Sequence, residues 1–317
     1  MTQTVQHLST ELLDLAFERR GEPGGFPVVL LHGFPYDPRS YDEVAEALAA
    51  NGADVVVPYL RGYGPTRFRS DTSARSGQQA ALASDLRDLI DGLGLDQPIV
   101  AGFDWGGRAA CAAAALWPEK LGGLVAVGGY SIHNVREMAT VPDLPEYEAK
   151  DWHQWYFQIE RGRAGLNTYR REIARQLWQE WSPNWDVDEH TFEATASSFD
   201  NPDFVEVVVH SYRVRYGLAE EDPRYAALEK ALSARPPISV PTIVIDPSED
   251  AVMPPLSRDG HEVHFVNLLD YRQAPVGHNT PQEDPSSIVS AILALRQDAL
   301  MQGDSALART FPPESSL

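Results

Sequence analysis

The segment GFDWGG at positions 102–107 constrains the fold of this chain more than any other feature. It follows the apolar run 98–102 and precedes an alanine-rich stretch, which predicts a strand that turns abruptly into a helix. Small residues two positions before and two positions after Asp104 allow such a turn and expose the central side chain. A carboxylate there can attack a carbon centre and form an ester, although an aspartate at a helix start can also serve as a cap.

Short apolar runs alternate with longer amphipathic stretches on both sides of a long central segment. Strands are predicted at 28–31, 53–58, 98–102, 124–128, 241–245 and 262–268, and helices at 41–50, 77–92 and 287–300. This alternation is typical of a parallel sheet with crossover helices. We therefore predict an α/β fold with a mostly parallel sheet flanked by helices.

The central segment, residues 131–236, interrupts this alternation. It holds most of the tryptophans and several helix-like stretches, and most of it lacks strand-like periodicity. Two consecutive prolines at 236–237 mark its end. We predict a helical cap at 131–236, inserted into a core formed by residues 1–130 and 237–300. The polar residues 301–317 are predicted to form a loose C-terminal tail.

Charge and composition exclude several classes of protein. The net charge of −20 disfavours nucleic acids and anionic membranes as partners, because like charges repel. The single cysteine excludes a disulfide framework and a thiolate metal cluster. No apolar run reaches the about 20 residues that a bilayer-spanning helix needs, and no secretory leader is visible. We expect a cytoplasmic protein that binds neither membrane nor nucleic acid, and the sequence leaves open whether it forms a homodimer.

The motif HGFP at positions 32–35 follows the first predicted strand of the parallel sheet. A loop of this kind can aim the backbone N–H of Phe34 at the point that the N–H of Trp105 also reaches. These two donors would form an oxyanion hole beside Asp104. Pro35 favours a fixed turn, which can contain a cis peptide bond.

The motif VGHNTP at 276–281 places His278 in a glycine-containing loop after a late strand. The general base is expected there when the chain order is nucleophile, acid, histidine. The acid that orients this histidine should follow the preceding strand, in the segment DPSEDAV at 246–252. We favour Asp250, and Asp246 stays as the alternative. The histidines lack metal-ligand spacing, so we expect neither a metal nor a cofactor.

Taken together, these motifs resemble those of a known enzyme family. The matching segments are HGFP at 32–35, RGYG at 61–64, FDWGG at 103–107, the turn that holds Asp250, and VGH at 276–278. They resemble the epoxide hydrolases of the α/β-hydrolase superfamily, and the haloalkane and haloacid dehalogenases are similar. The likeness covers roughly residues 8–130 and 237–298. It implies that Asp104 is the nucleophile, that His278 and its acid activate the hydrolytic water, and that the insertion covers the site.

In the epoxide hydrolases, two cap tyrosines donate hydrogen bonds to the epoxide oxygen. The segment HSYR at 210–213 resembles the second motif and makes Tyr212 one donor. The segment WHQWYFQ at 152–158 resembles the first motif, with His153 where a tyrosine is expected. A histidine can also donate to an oxyanion. Trp155 and Tyr156 are candidates for substrate binding, although aromatic residues of a helical lid more often have a packing role.

Two other functions stay open beside epoxide hydrolysis. A dehalogenase would use the same nucleophile, and the indole N–H of Trp105 could hold a halide. However, Phe34 and Gln154 stand where such enzymes have other residues, and Arg108 is interpreted as a helix-surface arginine. A catalytically silent binding module is the third hypothesis. Ester hydrolysis is disfavoured, because carboxylate attack on an ester would give an anhydride. We predict an epoxide hydrolase with a small apolar substrate.

Overall fold

The computed structural model describes residues 4–252 and 255–310. Its strands are β1 Gln6–Ser9, β2 Leu13–Arg20, β3 Phe26–Leu31, β4 Ala53–Pro58, β5 Arg67–Phe68, β6 Ile99–Gly102, β7 Gly123–Val127, β8 Thr242–Pro247 and β9 Leu268–Ala274. Its helices are α1 Asp42–Ala50, α2 Gln79–Leu93, α3 Asp104–Leu116, α4 Val135–Met138, α5 Pro145–Lys150, α6 Trp152–Tyr156, α7 Glu160–Trp181, α8 Glu189–Ala196, α9 Phe204–Arg215, α10 Ala226–Leu232, α11 Arg258–Glu262, α12 Thr280–Glu283 and α13 Pro285–Thr310.

The strands form one sheet in the order β1-β2-β4-β3-β6-β7-β8-β9, with β5 paired to β2. Pairing is antiparallel around β2 and parallel from β4 to β9. The central strands β4, β6 and β7 are buried along their whole length. Such continuous apolar strands are typical of a parallel sheet covered on both faces. The helices α1 and α13 pack together, α2 and α3 pack together, and both pairs lie against the central strands. The mostly parallel α/β sheet predicted from the sequence is confirmed.

The parallel register brings two pairs of loops together at one edge of the sheet. Leu31 at the end of β3 is aligned with Gly102 at the end of β6. Pro247 at the end of β8 is aligned with Ala274 at the end of β9. The segments that follow these four strand ends therefore lie at the same, carboxyl-terminal edge. Ligands of open α/β sheets bind at this edge.

The helices α4 to α10 lie between β7 and β8 in the chain, and residues 131–236 contain no strand. Side chains of this cap bond to loops of the core. The indole N–H of Trp178 donates to the Pro35 carbonyl at 3.0 Å. The Ser198 hydroxyl donates to the Asp37 carboxylate at 2.6 Å. These buried bonds fix the cap directly above the HGFP loop. No helix among the described residues is long and apolar enough to cross a membrane.

Two predictions near the C-terminus are wrong. A strand was predicted at 262–268. In the structure, helix α11 ends at Glu262 and the strand β9 covers Leu268–Ala274. The segment LLDYRQA of β9 is only partly buried, so its apolar signal is weak. The predicted loose tail begins too early, because α13 continues to Thr310 and no proline interrupts it before Pro312. The rest of that tail, residues 311–317, lies outside the described residues.

Candidate active site

Asp104 lies at the junction of β6 and α3 with a backbone φ of 49°. This left-handed conformation is uncommon for a residue with a side chain, and aspartate tolerates it better than most. Glycine is required on both sides of the turn. A Cβ on Gly102 would overlap the Gly106 carbonyl, and a Cβ on Gly106 would overlap the Leu31 carbonyl. The predicted sharp turn is present, and it projects the Asp104 carboxylate toward the cap.

The HGFP loop meets this carboxylate directly. The backbone N–H of Phe34 donates a hydrogen bond to Oδ1 of Asp104 at 2.7 Å. The peptide bond between Phe34 and Pro35 is cis. Nε2 of His32 accepts from the Leu60 N–H at 3.1 Å, which anchors the start of the loop. One of the two predicted backbone donors therefore contacts the nucleophile candidate, whereas the donor role of Trp105 stays a prediction.

His278 lies between two carboxylates. Its Nδ1 is 2.8 Å from Oδ2 of Asp250, and its Nε2 is 3.8 Å from Oδ2 of Asp104. The first distance is a hydrogen bond, whereas the second is too long for one. Its backbone N–H donates to the Trp181 carbonyl at 3.2 Å. Nε2 consequently faces Asp104 without a hydrogen-bond partner among the described residues.

The charges of this group shift its pKa values. Burial alone would lower the pKa of His278, but the carboxylates of Asp250 and Asp104 outweigh it and raise that pKa to about 10. Burial would raise the pKa of Asp104, but the neighbouring His278 and Arg108 and the Phe34 N–H together lower it. The resting site therefore holds an ionised Asp104 beside a protonated His278 at neutral pH.

Asp246, the alternative acid, is paired elsewhere. Its Oδ2 lies 2.8 Å from Nε2 of His261 and accepts the Leu256 N–H at 2.9 Å. Both Asp246 and His261 are buried under the sheet edge. The geometry therefore brings Asp250, and not Asp246, to His278.

The two residues predicted as cap donors line one cavity of about 510 Å³ together with Asp104, the predicted nucleophile. Asp104, His278, Tyr212 and His153 all line it. The rings of His153 and Tyr212 are 5.1 Å apart. Burial, with a smaller effect of the nearby Arg215, lowers the pKa of His153 to about 3. Burial likewise raises the pKa of Tyr212. Both are therefore neutral at ordinary pH, and each can donate one hydrogen bond.

Trp155 and Tyr156, predicted to bind substrate, are not among the described residues that line this cavity. Trp155 is 41% exposed and packs against Tyr216, with the ring centroids 4.6 Å apart. Tyr156 packs against the glycines of α7, where a Cβ on Gly165 would overlap its hydroxyl. Both follow His153 on α6 but point away from the site, so the structure supports the packing role.

Three cavity residues were missed by sequence reasoning. Trp181 closes the cavity beside His278, with the ring centroids 5.0 Å apart. The interpretation of Arg108 as a helix-surface residue is wrong, because Arg108 is buried and lines the cavity. Arg215 is buried at the same end. The spacing gives a signal for both arginines: Arg108 follows Asp104 by four residues, and Arg215 follows Tyr212 by three, so each shares a helix face with a site residue.

Comparison with known proteins adds to this geometry. A family model described as "alpha/beta hydrolase fold" matches residues 27–285. Epoxide hydrolase B from Mycobacterium tuberculosis is 32% identical over 150 residues, which cover 43% of this chain and 40% of the relative. Epoxide hydrolase 2 from Siraitia grosvenorii is 30% identical over 135 residues, 42% of this chain and 41% of the relative. The chain thus matches about two fifths of the length of these curated relatives.

Solved structures match over nearly the whole chain. A proposed epoxide hydrolase from Klebsiella pneumoniae has a TM-score of 0.90 and 40% identity, covering 93% of this chain and 97% of that protein. The epoxide hydrolase VrEH1 from Vigna radiata has a TM-score of 0.72 and 22% identity, covering 93% of this chain and 98% of that protein. The second likeness concerns the fold alone.

Proposed function

Because the chain belongs to the α/β-hydrolase fold family, we propose that it is an epoxide hydrolase that forms a covalent ester on Asp104. One observation carries this proposal. An ionised carboxylate on a sharp turn shares a cavity with His153 and Tyr212, two neutral donors that could receive the oxygen of an opening epoxide. The epoxide hydrolases among the similar proteins support the same activity.

In the first step, Oδ2 of Asp104 attacks an epoxide carbon while the C–O bond on the opposite side breaks. Oδ1 is already held by the Phe34 N–H at 2.7 Å, which leaves Oδ2 as the nucleophile. The released oxygen takes its proton from the Tyr212 hydroxyl, and the neutral imidazole of His153 donates a second hydrogen bond. A neutral, weakly acidic donor suits an alkoxide, because the proton is transferred only as the charge develops.

In the second step, the ester on Asp104 is hydrolysed. Esterification removes the negative charge 3.8 Å from Nε2 of His278, so the pKa of His278 falls. The imidazolium then loses its proton, which balances the proton that Tyr212 gave to the epoxide oxygen, and the neutral imidazole can act as a base. Held by Asp250, His278 deprotonates a water that attacks the Asp104 carbonyl carbon. The oxyanion on Oδ1 stays at the Phe34 N–H, with the Trp105 N–H proposed as second donor. On collapse the remaining proton of the attacking water goes to the leaving alkoxide, which releases the vicinal diol, restores the carboxylate of Asp104 and leaves His278 protonated as in the resting site.

Halide displacement is the second candidate, because the indole Nε1 of Trp105 is buried and has no hydrogen-bond partner in the part of the chain that the structure describes. Trp105 is not among the described residues that line the cavity, however, and the Phe34 ring stacks on it at 5.6 Å. The indole is therefore less accessible from the cavity than Asp104, which lines it. Epoxide opening therefore remains the better proposal, and a cytoplasmic location without metal or cofactor stays a prediction.

The decisive experiment traps the covalent intermediate. The variant His278→Gln is incubated with a panel of epoxides and a panel of haloalkanes and haloacids, and the intact protein is weighed. An adduct with the mass of the whole epoxide, located on the peptide that holds Asp104, is the expected result. An adduct formed with loss of hydrogen halide would instead indicate a dehalogenase.

The exposed His190 provides the matched control. His190→Gln should turn over the same epoxides without accumulating an adduct, because its histidine lies outside the cavity. If His278→Gln forms no adduct with either panel and the unaltered protein releases no diol, the covalent mechanism is refuted and a binding module is favoured.

A further inference from the structure

Two buried arginines line one end of the active-site cavity without carboxylate partners. Arg108, on the core helix α3, is 7% exposed, and Arg215, on the cap helix α9, is 8% exposed. Nε of Arg108 and Nη2 of Arg215 are buried without hydrogen-bond partners among the described residues. Arg215 is held by a bond from Nη1 to the amide oxygen of Gln154 at 3.0 Å and by the ring of Tyr212. Neither guanidinium belongs to an ion pair within the described part of the chain.

An unpaired buried cation is costly, so two in one cavity require an explanation. Arg235, which lines the same cavity, is ion-paired with Glu137. The other nearby carboxylates do not serve Arg108 and Arg215 in this way. Glu229 accepts from the Ala80 N–H at 2.9 Å and from a side-chain amide. Burial raises the pKa of Asp151 to about 6 although the charge of Arg215 opposes this shift, and the two side chains form no ion pair among the described residues.

The electrostatic environment of this end is correspondingly positive. Burial, followed by the charges of Arg108, Arg215 and Arg235, holds the pKa of His133 well below its usual value. Burial and the charge of Arg215 also lower the pKa of Arg108, to about 9. The guanidiniums thus repel each other and stay largely charged at neutral pH. An anion placed between them would relieve this repulsion.

The helical register sets the distance from this cationic end to the reacting groups. Arg108 lies one turn after Asp104 on α3, and Arg215 lies one turn after Tyr212 on α9. One helical turn corresponds to about 5.4 Å along the axis. Arg108 and Arg215 also line a smaller adjoining pocket that neither Asp104 nor Tyr212 lines, so the two arginines lie together beyond the reacting groups. A substrate that reaches from the reacting groups to the arginines carries its anionic group a few carbon atoms from the epoxide.

We propose that Arg108 and Arg215 bind a carboxylate of the substrate, so that the enzyme acts on short epoxy acids in preference to neutral epoxides. This specificity rests on the proposed function for its epoxide, whereas the carboxylate site itself does not. The two positive guanidiniums exceed the single negative charge of Asp104 by one. A carboxylate on the substrate supplies the negative charge that balances this excess. Each orphaned N–H then gains a charge-assisted hydrogen bond. This proposal differs from the small apolar substrate that the sequence suggested, and that expectation stays a prediction.

Direct binding tests the carboxylate site without any chemistry. Pentanoate and pentanamide have nearly the same shape, and titration calorimetry compares their affinities for the unaltered protein and for single variants. We expect pentanoate to bind at least about tenfold more tightly, as charge-assisted bonds to arginine predict. Arg108→Gln and Arg215→Gln should each abolish most of this preference, and Arg108→Lys should retain part of it. Arg258→Gln, at an ion-paired arginine of α11 that is not among the described residues lining the cavity, should keep it.

Kinetics then test the specificity. The measured quantity is the ratio of kcat/KM for 4,5-epoxypentanoate to that for its amide, which we expect to exceed about ten and to collapse toward one in both Gln variants, mainly through KM. Thermal unfolding checks that these variants fold.

The failure of one proposal can be told from the failure of the other. Arginine-dependent binding of pentanoate without diol formation from any epoxide would refute epoxide hydrolysis and keep the anion site. Hydrolysis of neutral epoxides with equal affinities for pentanoate and pentanamide would refute the anion site and keep the proposed function.

Discussion

The variant Asp104→Asn should lower the pKa of His278 sharply, because it removes a negative charge 3.8 Å from Nε2. At an effective dielectric constant of about 20, two unit charges at that distance interact by about 4 kcal/mol, which corresponds to about 3 pKa units. The pKa of His278 is raised to about 10 in the resting site by Asp250 and Asp104 against the effect of burial. We therefore expect a value of about 7 in Asp104→Asn.

Asparagine is the suitable substitution because it keeps the shape of the side chain and tolerates the left-handed backbone at φ 49°. Like an ester on Asp104, it carries no charge. A fall in the pKa of His278 would thus mimic the change that turns the histidine into a base. Hydrolysis of the ester needs the neutral imidazole of His278. The rate of ester hydrolysis should therefore fall as the pH drops below the lowered pKa of His278.

NMR titration of the histidine ring protons measures this pKa, and His278→Gln identifies the resonance among the nine histidines. Asp246→Asn is the matched control, because Asp246 is paired with His261 and should leave the titration of His278 in place. A pKa for His278 that changes by less than about one unit in Asp104→Asn would refute the reasoning, since the charge of Asp104 at 3.8 Å could not then contribute what that distance requires.

Three further predictions concern the same edge of the sheet. Asp250→Asn should slow ester hydrolysis by at least about 100-fold in single-turnover assays. Asp246→Asn should instead lower the unfolding temperature by several degrees and keep the hydrolysis rate of the folded enzyme. Equal losses of hydrolysis rate in the two variants would contradict the assignment of Asp250 as the acid. Gly106→Ala should prevent stable folding, because its Cβ would overlap the Leu31 carbonyl; an unchanged melting temperature would contradict this. Tyr212→Phe should reduce the rate of adduct formation in stopped-flow measurements by at least about 100-fold, and an unchanged rate would refute its role as proton donor.

The sequence predicted the loops of the site well, for a physical reason. Asp104, Phe34 and Asp250 each follow an apolar run that a parallel sheet aligns with its neighbours, whereas the strand before His278, β9, has a weak apolar signal and was predicted several residues too early. Once the strands were identified, the carboxyl ends of the strands had to meet at one edge. The relative positions of these four residues therefore depend on local patterns plus a general rule of sheet topology.

The cap is different, because its helices are placed by packing and not by a ladder of hydrogen bonds. His153 and Trp155 are only two positions apart, yet one faces the cavity and the other is exposed. A helix of five residues has too few turns for its apolar periodicity to identify the buried face. The sequence could therefore propose several aromatic residues for this site without separating the ones that face it.

The proximity of Arg108 and Arg215 in the cavity could not be predicted from the sequence. Each shares a helix face with a candidate site residue, but the two helices belong to core and cap, and their register depends on how the cap is seated. Bonds such as that from the Trp178 indole N–H to the Pro35 carbonyl fix the position of the cap directly above the HGFP loop. With the cap seated in this way, Asp104, Arg108, Tyr212 and Arg215 line one cavity. A cap displaced by one helical turn would move Tyr212 and Arg215 together away from the two core residues, so donor geometry and charge recognition depend on a single docking arrangement.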